Sequence, residues 1–206
     1  MVHFPSLSRI INLPVERAVW QFCLLFHIPL RVLTLIMGFQ LYKNPKIHHP
    51  LYQISRLLFL ITGLFELFFL SGLSIVGEKE DIQLHVIFFY AFGGCSLGHM
   101  VANIFCRGFS SYYVKPYGRL SYHLKILFAG LSFLLSPILL ISFVLYWKMC
   151  ITLAYDTFAL CEYCQVILNI CFHGCAFFDY RYRVNFSIQI PQKCLKNSLI
   201  STDKHH

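Results

Sequence analysis

Apolar residues occupy this chain in long runs separated by short polar breaks. Five runs stand out, at residues 18–42, 51–76, 82–106, 122–147 and 151–178. Each exceeds the roughly 20 residues that an α-helix needs to cross a bilayer, with length to spare for tilt. None alternates between apolar and polar residues, and all are too long for membrane-spanning strands. Pro45 and Pro50 bracket the first break, and Pro116 breaks the loop before the fourth run. Pro137 falls inside the fourth run, where neighbouring helices in lipid tolerate a proline. The pattern predicts an all-α fold: one polytopic transmembrane helix bundle over residues 1–178, followed by a basic cytosolic tail over 179–206.

Composition supports this and removes other classes. Apolar types make up 57% of the residues and charged types 13%, about half the usual share in soluble domains. Mean hydropathy is +0.63. The 21 Phe and 12 Tyr suit lipid contact and interfacial belts. A net charge of +8 reads here as a positive cytoplasmic face, and nucleic acid is not expected as a partner. Most of the nine cysteines lie inside apolar runs, where a thiol acts as a small apolar side chain rather than part of a disulfide framework. The first run closes on Gln40 and is followed by Lys43 instead of a small-residue cleavage site, so no cleavable signal peptide is expected.

The basic residues divide unequally between the two sides. Arg9, Arg17, Lys79 and Lys148 fall on one side. Twelve fall on the other: Lys43, Lys46, Arg56, Arg107, Lys115, Arg119, Lys125, Arg181, Arg183, Lys193, Lys196 and Lys204. The second side is therefore expected to be cytosolic and the N-terminus luminal or extracellular. The Asn185-Phe186-Ser187 sequon then lies in the cytosol, unused. Cys194 in the tail reads as a plain thiol, with palmitoylation the alternative.

Ionisable groups inside a membrane are costly, so each is a candidate functional position, for a lipid headgroup or reacting acyl ester, with a structural ion pair or a proton or ion pathway as the alternatives. His27 and Arg31 share a face of the first run. Glu66 lies midway along the second. His85 and His99 are fourteen residues apart on the third, close to a whole number of helical turns, with Ser96 and Asn103 on the same stripe. Glu162, Asn169 and His173 form a stripe on the fifth. Counting from the helix ends puts His27, Glu66 and Glu162 in one layer about 15 Å deep. Arg31, one turn deeper, needs Glu66 or Glu162 as its partner. Cys161, Cys164, Cys171 and Cys175 share the opposite face of the fifth run. One side of a single helix cannot surround a tetrahedral ion, so packing is expected there, and no metal or other cofactor.

These residues also carry a resemblance. "FPSLS" at 4–8 followed by "VERAVWQFCLLFHIPLR" at 15–31, Glu66 through "EKEDIQLH" at 78–85 to "SLGHM" at 96–100, and "EYCQVILNICFHGCAFFDY" at 162–180 resemble the post-GPI-attachment-to-proteins factor 2 family over most of residues 1–180. The resemblance implies a multi-pass protein of the Golgi or endoplasmic reticulum membrane that remodels the lipid of GPI anchors. There a saturated acyl chain is attached to lyso-GPI-anchored proteins. The partners implied are membrane lipids, GPI-anchored proteins and a partner remodelling enzyme. The resemblance also implies one more spanning helix before the Pro-Ser motif, where this chain starts.

If the protein is an acyltransferase acting on lyso-GPI, the expected catalytic residues are His99 or His173 paired with Glu162. A histidine serves as general base for a lipid hydroxyl, helped by a carboxylate. His27, Arg31, Glu66, His85, Ser96 and Asn169 are the expected substrate-binding residues, with Arg31 suited to the anchor's phosphate. No nucleophile elbow is visible. The alternative is a non-catalytic membrane factor that binds lipid or a partner enzyme. A transporter would favour inverted repeats or broken helices, and neither is seen. The two polar stripes, His85/Ser96/His99 and Glu162/Asn169/His173, are expected to face each other across a cavity open to the lumen.

Overall fold

The computed structural model describes residues 4–43, 49–109 and 118–180, which form helices and short connections without a strand. Seven helices follow in order: α1 Leu7–Ile11, α2 Pro14–Leu41, α3 Pro50–Ile75, α4 Ile82–Phe109, α5 Gly118–Met149, α6 Thr152–Gly174 and α7 Ala176–Tyr180. The five long ones are apolar enough to cross a membrane, with α6 and α7 acting together as the fifth span. They match the five predicted runs, with ends shifted by a few residues. The basic tail beyond Tyr180, including the sequon and Cys194, lies outside the described residues, as do Pro45, Lys46, Lys115 and Pro116.

Local chemistry accounts for the helix ends. Pro14 and Pro50 occupy first-turn positions of α2 and α3, where a missing N–H costs nothing and the fixed φ suits a helix. Asp81 Oδ1 caps α4 by accepting from the Gln83 and Leu84 N–H groups, both at 3.0 Å. Only Cys150 and Ile151 separate α5 from α6, and only residues 76–81 separate α3 from α4. Connections this short make the paired helices antiparallel neighbours. α2 packs on α3 and α4 on α5, while α1 touches both α2 and α6.

The bundle is apolar outside and polar within. Phe22, Leu30, Leu134, Leu153 and Ile167 are exposed, as suits a lipid-facing surface. Arg31, Glu66, His85, Ser96, His99, Asn103, Arg107, Lys125 and Glu162 are buried. In hydrocarbon this arrangement is required, because polar groups find partners only among themselves. Gln165 on α6 illustrates this. Its Nε2 donates to the Ser132 carbonyl (2.8 Å) and the Ser136 hydroxyl (3.0 Å) of α5, in the turn before Pro137. Of the cysteines of α6, Cys161 packs in an apolar cluster with Leu139 and Phe158, while Cys164 and Cys171 are half-buried.

Two basic residues that the sequence places with the surface charge are interior. Arg107 and Lys125 are 2% and 3% exposed. Both bridge Asp179, at 2.7 and 2.6 Å respectively. Asp179, read from the sequence as the start of the tail, folds back into the bundle through α7. Tyr180 follows it, donating its hydroxyl to the Thr34 carbonyl at 3.2 Å.

Candidate functional site

The buried polar groups form three stations along the bundle axis. The central one joins four helices. Arg31 of α2 donates to Glu66 Oε2 of α3 at 2.9 Å. Glu66 Oε1 accepts from Asn169 Nδ2 (2.9 Å) and lies 3.2 Å from His173 Nε2, both on α6. Asn169 also donates to Ser96 Oγ of α4 at 2.7 Å. His99 Nδ1 lies 3.0 Å from the Phe59 carbonyl, and its ring is 5.4 Å from that of His173. The expected meeting of the α4 and α6 stripes is formed here. So is the expected Arg31 ion pair, with Glu66 as the acid.

The second station is at the α1 end. Glu162 Oε2 accepts from the Leu7 N–H at 2.8 Å, and Oε1 accepts from the Ser8 hydroxyl at 3.1 Å. Ser8 Oγ lies 3.2 Å from His85 Nε2. Around it, Ser6 N–H donates to the Tyr155 hydroxyl and Tyr163 to the Pro5 carbonyl. Arg9 and Arg17 pair with Glu78 (3.6 Å) and Glu80 (2.7 Å). The third station, at the α7 end, is the Arg107–Asp179–Lys125 cluster with Asn103, Tyr42 and Ser121.

One sequence expectation fails here. Glu162 pairs with neither His99 nor His173, and it does not share a layer with Glu66. Eleven residues separate Glu162 from His173, about 16 Å along a helix, and Asn169, seven residues on, is the residue level with Glu66. Counting depth from helix ends assumes that all ends lie in one plane, and they do not. The carboxylate beside His173 is Glu66. Arg31 is also already engaged by that carboxylate instead of being directed at a phosphate.

A cavity of about 460 Å³ connects the first two stations, within the ~300–1,000 Å³ range of ligand sites. His27, Ser96 and Asn169 line it together with Ser8, His85 and Glu162, and its walls are otherwise largely apolar, including Trp20, Leu24, Leu97 and Met100. His99 and His173 do not line this space. They border a separate void of about 30 Å³ beside Arg31, Lys125 and Asp179.

Glu66, His99 and His173 each offer a ligand atom, all within 4.8 Å of one another. That is a donor set of the His₂-carboxylate kind. In this arrangement Glu66 already accepts from Arg31, Asn169 and His173, and the Arg31 cation opposes a second positive charge beside it.

Sequence reasoning missed Ser8, Asp179 and the burial of Arg107 and Lys125. Ser8 stood in the quoted "FPSLS" motif but outside any spanning run. Asp179 followed the last apolar run, so it read as the first residue of a tail.

The chain belongs to the Frag1/DRAM/Sfk1/Cwh43P N-terminal domain family, whose pattern matches residues 1–182. It is 26% identical over 97% of its length to a Drosophila melanogaster protein named post-GPI attachment to proteins factor 2-like. It is 28% identical over 86% of its length to the Xenopus tropicalis protein named acyltransferase PGAP2. It is 29% identical over 85% of its length to post-GPI attachment to proteins factor 2 of Caenorhabditis elegans. The chain spans 64%, 71% and 69% of these three relatives. No solved structure matches it.

Proposed function

We propose that this protein acts in GPI-anchor lipid remodelling, transferring a saturated acyl chain to lyso-GPI-anchored proteins. The observation that carries the reading is the 460 Å³ cavity. Its apolar walls suit a fatty acyl chain, and its two polar ends suit an ester carbonyl or hydroxyl. The relatives' names, post-GPI attachment to proteins factor 2-like and acyltransferase PGAP2, support a role after GPI attachment and, for the second, acyl transfer. The cavity sits at the α1 end of the bundle, which the division of basic residues assigns to the lumen, where the GPI glycan and its lipid lie. The membrane is that of the Golgi or the endoplasmic reticulum.

Mass spectrometry of GPI-anchor acyl chains in cells lacking the protein tests the reading. Saturated chains should fall and lyso or unsaturated anchors should rise, with reversal on re-expression. An unchanged chain profile overturns it. Purified protein in liposomes with labelled acyl donor and lyso-GPI then separates an enzyme from a factor that only binds or recruits a partner enzyme. The enzyme forms acylated anchor unaided.

A further inference from the structure

Ser8 is a hydroxyl held against a histidine inside the cavity. Its Oγ lies 3.2 Å from His85 Nε2 and 3.1 Å from Glu162 Oε1. On the far side of the ring, His85 Nδ1 lies 2.7 Å from the Val76 carbonyl oxygen. A carbonyl oxygen only accepts, so Nδ1 carries the ring proton. With its one proton at Nδ1, the ring presents the Nε2 lone pair 3.2 Å from Ser8 Oγ. The hydroxyl proton, which is donated to Glu162 Oε1 in this arrangement, reaches Nε2 by rotation about the Ser8 Cβ–Oγ bond. His85 and Glu162 are buried, Ser8 is half-buried, and all three line the 460 Å³ space.

A serine, a base whose tautomer is fixed by a third group, and an adjoining carboxylate are the parts of an activated nucleophile. The arrangement differs from the familiar serine triad. Glu162 contacts the hydroxyl and the Leu7 N–H rather than the imidazole, so it positions the serine. By contrast, His99 and His173 face the Phe59 carbonyl and Glu66.

We propose that Ser8 is the nucleophile of acyl transfer, with His85 as its general base and Glu162 as a positioning residue. The proposal rests on the acyl-transfer reading. The donor is a glycerophospholipid acyl ester of the same leaflet. Ser8 Oγ bonds to the acyl carbon as the donor's ester C–O bond breaks. The serine proton passes to His85 Nε2 and on to the departing lysolipid oxygen. The free hydroxyl of lyso-GPI then attacks the Ser8 ester and gives its proton to His85. Ser8 Oγ departs and takes that proton back. One ester replaces another in each step, so neither an oxidant nor further activation is needed.

The test uses the full chain in liposomes of phosphatidylcholine with isotope-labelled acyl chains, read by peptide mass spectrometry. Without acceptor, the peptide containing Ser8 should gain the mass of one labelled acyl group and lose it when lyso-GPI is added. His85→Gln should slow adduct formation about 100-fold or more. Ser8→Cys should move the acyl group to a thioester that neutral hydroxylamine releases, a result that loss of folding cannot imitate. Ser8→Ala protein that still transfers acyl groups at the wild-type rate overturns the proposal and leaves the acyl-transfer reading intact. So does an adduct confined to another residue. Wild-type protein with neither adduct nor transfer overturns the proposal. Normal anchors in deficient cells would overturn the underlying reading as well.

Discussion

At Gly63 the missing side chain brings α3 against the central station. A Cβ there would lie 2.6 Å from Leu35 Cδ1 and 2.8 Å from His99 Nδ1, the nitrogen that meets the Phe59 carbonyl. Gly63→Ala should therefore push the His99 ring off its acceptor and lower the melting temperature in detergent, an overpacking cost of about 1–3 kcal/mol. Gly98→Ala is the control, because its Cβ would meet only Thr62, at 3.4 Å and beyond. Equal melting of the two variants would refute this account. Sequence alone could pair Arg31 with an acid, since a lone cation in hydrocarbon demands one. It could not choose between Glu66 and Glu162, because that choice depends on the relative heights of α3 and α6. Ser8 was still less legible. A serine in a polar segment has no periodicity, and only the fold of α1 against α6 places it beside His85.

The five spans were legible because hydrocarbon forces each helix to be continuous and apolar over a fixed length. The short connections carry less signal, and Cys150 shows why. It adopts φ 54°, the one positive φ of a non-glycine among the described residues, to turn the chain from α5 into α6 in two residues. Nothing about a cysteine announces that conformation. An L side chain is strained there by about 1–2 kcal/mol, and glycine is not. Glycine also gives up more freedom on folding, by up to about 1 kcal/mol. Cys150→Gly should thus raise stability by up to about 1 kcal/mol, seen as a higher melting temperature. A lower one would mean that the Cys150 side chain makes contacts worth more than the strain.

Across the whole molecule, the three polar stations differ in charge balance. At the α1 end Arg9 and Arg17 meet Glu78 and Glu80, with the buried carboxylate of Glu162 in addition, and in the middle Arg31 meets Glu66. At the α7 end the excess among the described residues is positive. Two buried cations, Arg107 and Lys125, share the carboxylate of Asp179, and among the described residues Arg107 Nε has no hydrogen-bond partner. Removing the shared anion and removing one of the cations should then have opposite consequences. Asp179→Asn leaves two neighbouring cations uncompensated in the interior, and breaking a buried pair in this way costs about 3–5 kcal/mol. Lys125→Met removes the surplus charge and leaves a one-to-one Arg107–Asp179 pair. Asn103 Oδ1, which also accepts from Lys125, keeps the Tyr42 hydroxyl at 3.1 Å as its donor. Replacing a buried cation by an apolar chain of similar length is often neutral or stabilising. Thermal unfolding in detergent should show Asp179→Asn well below wild type and Lys125→Met level with it or above. The double variant should recover part of the loss, because only one orphaned cation remains. If Lys125→Met were as damaging as Asp179→Asn, the surplus positive charge would be balanced by an anion beyond the described residues, and the α7 end would be neutral.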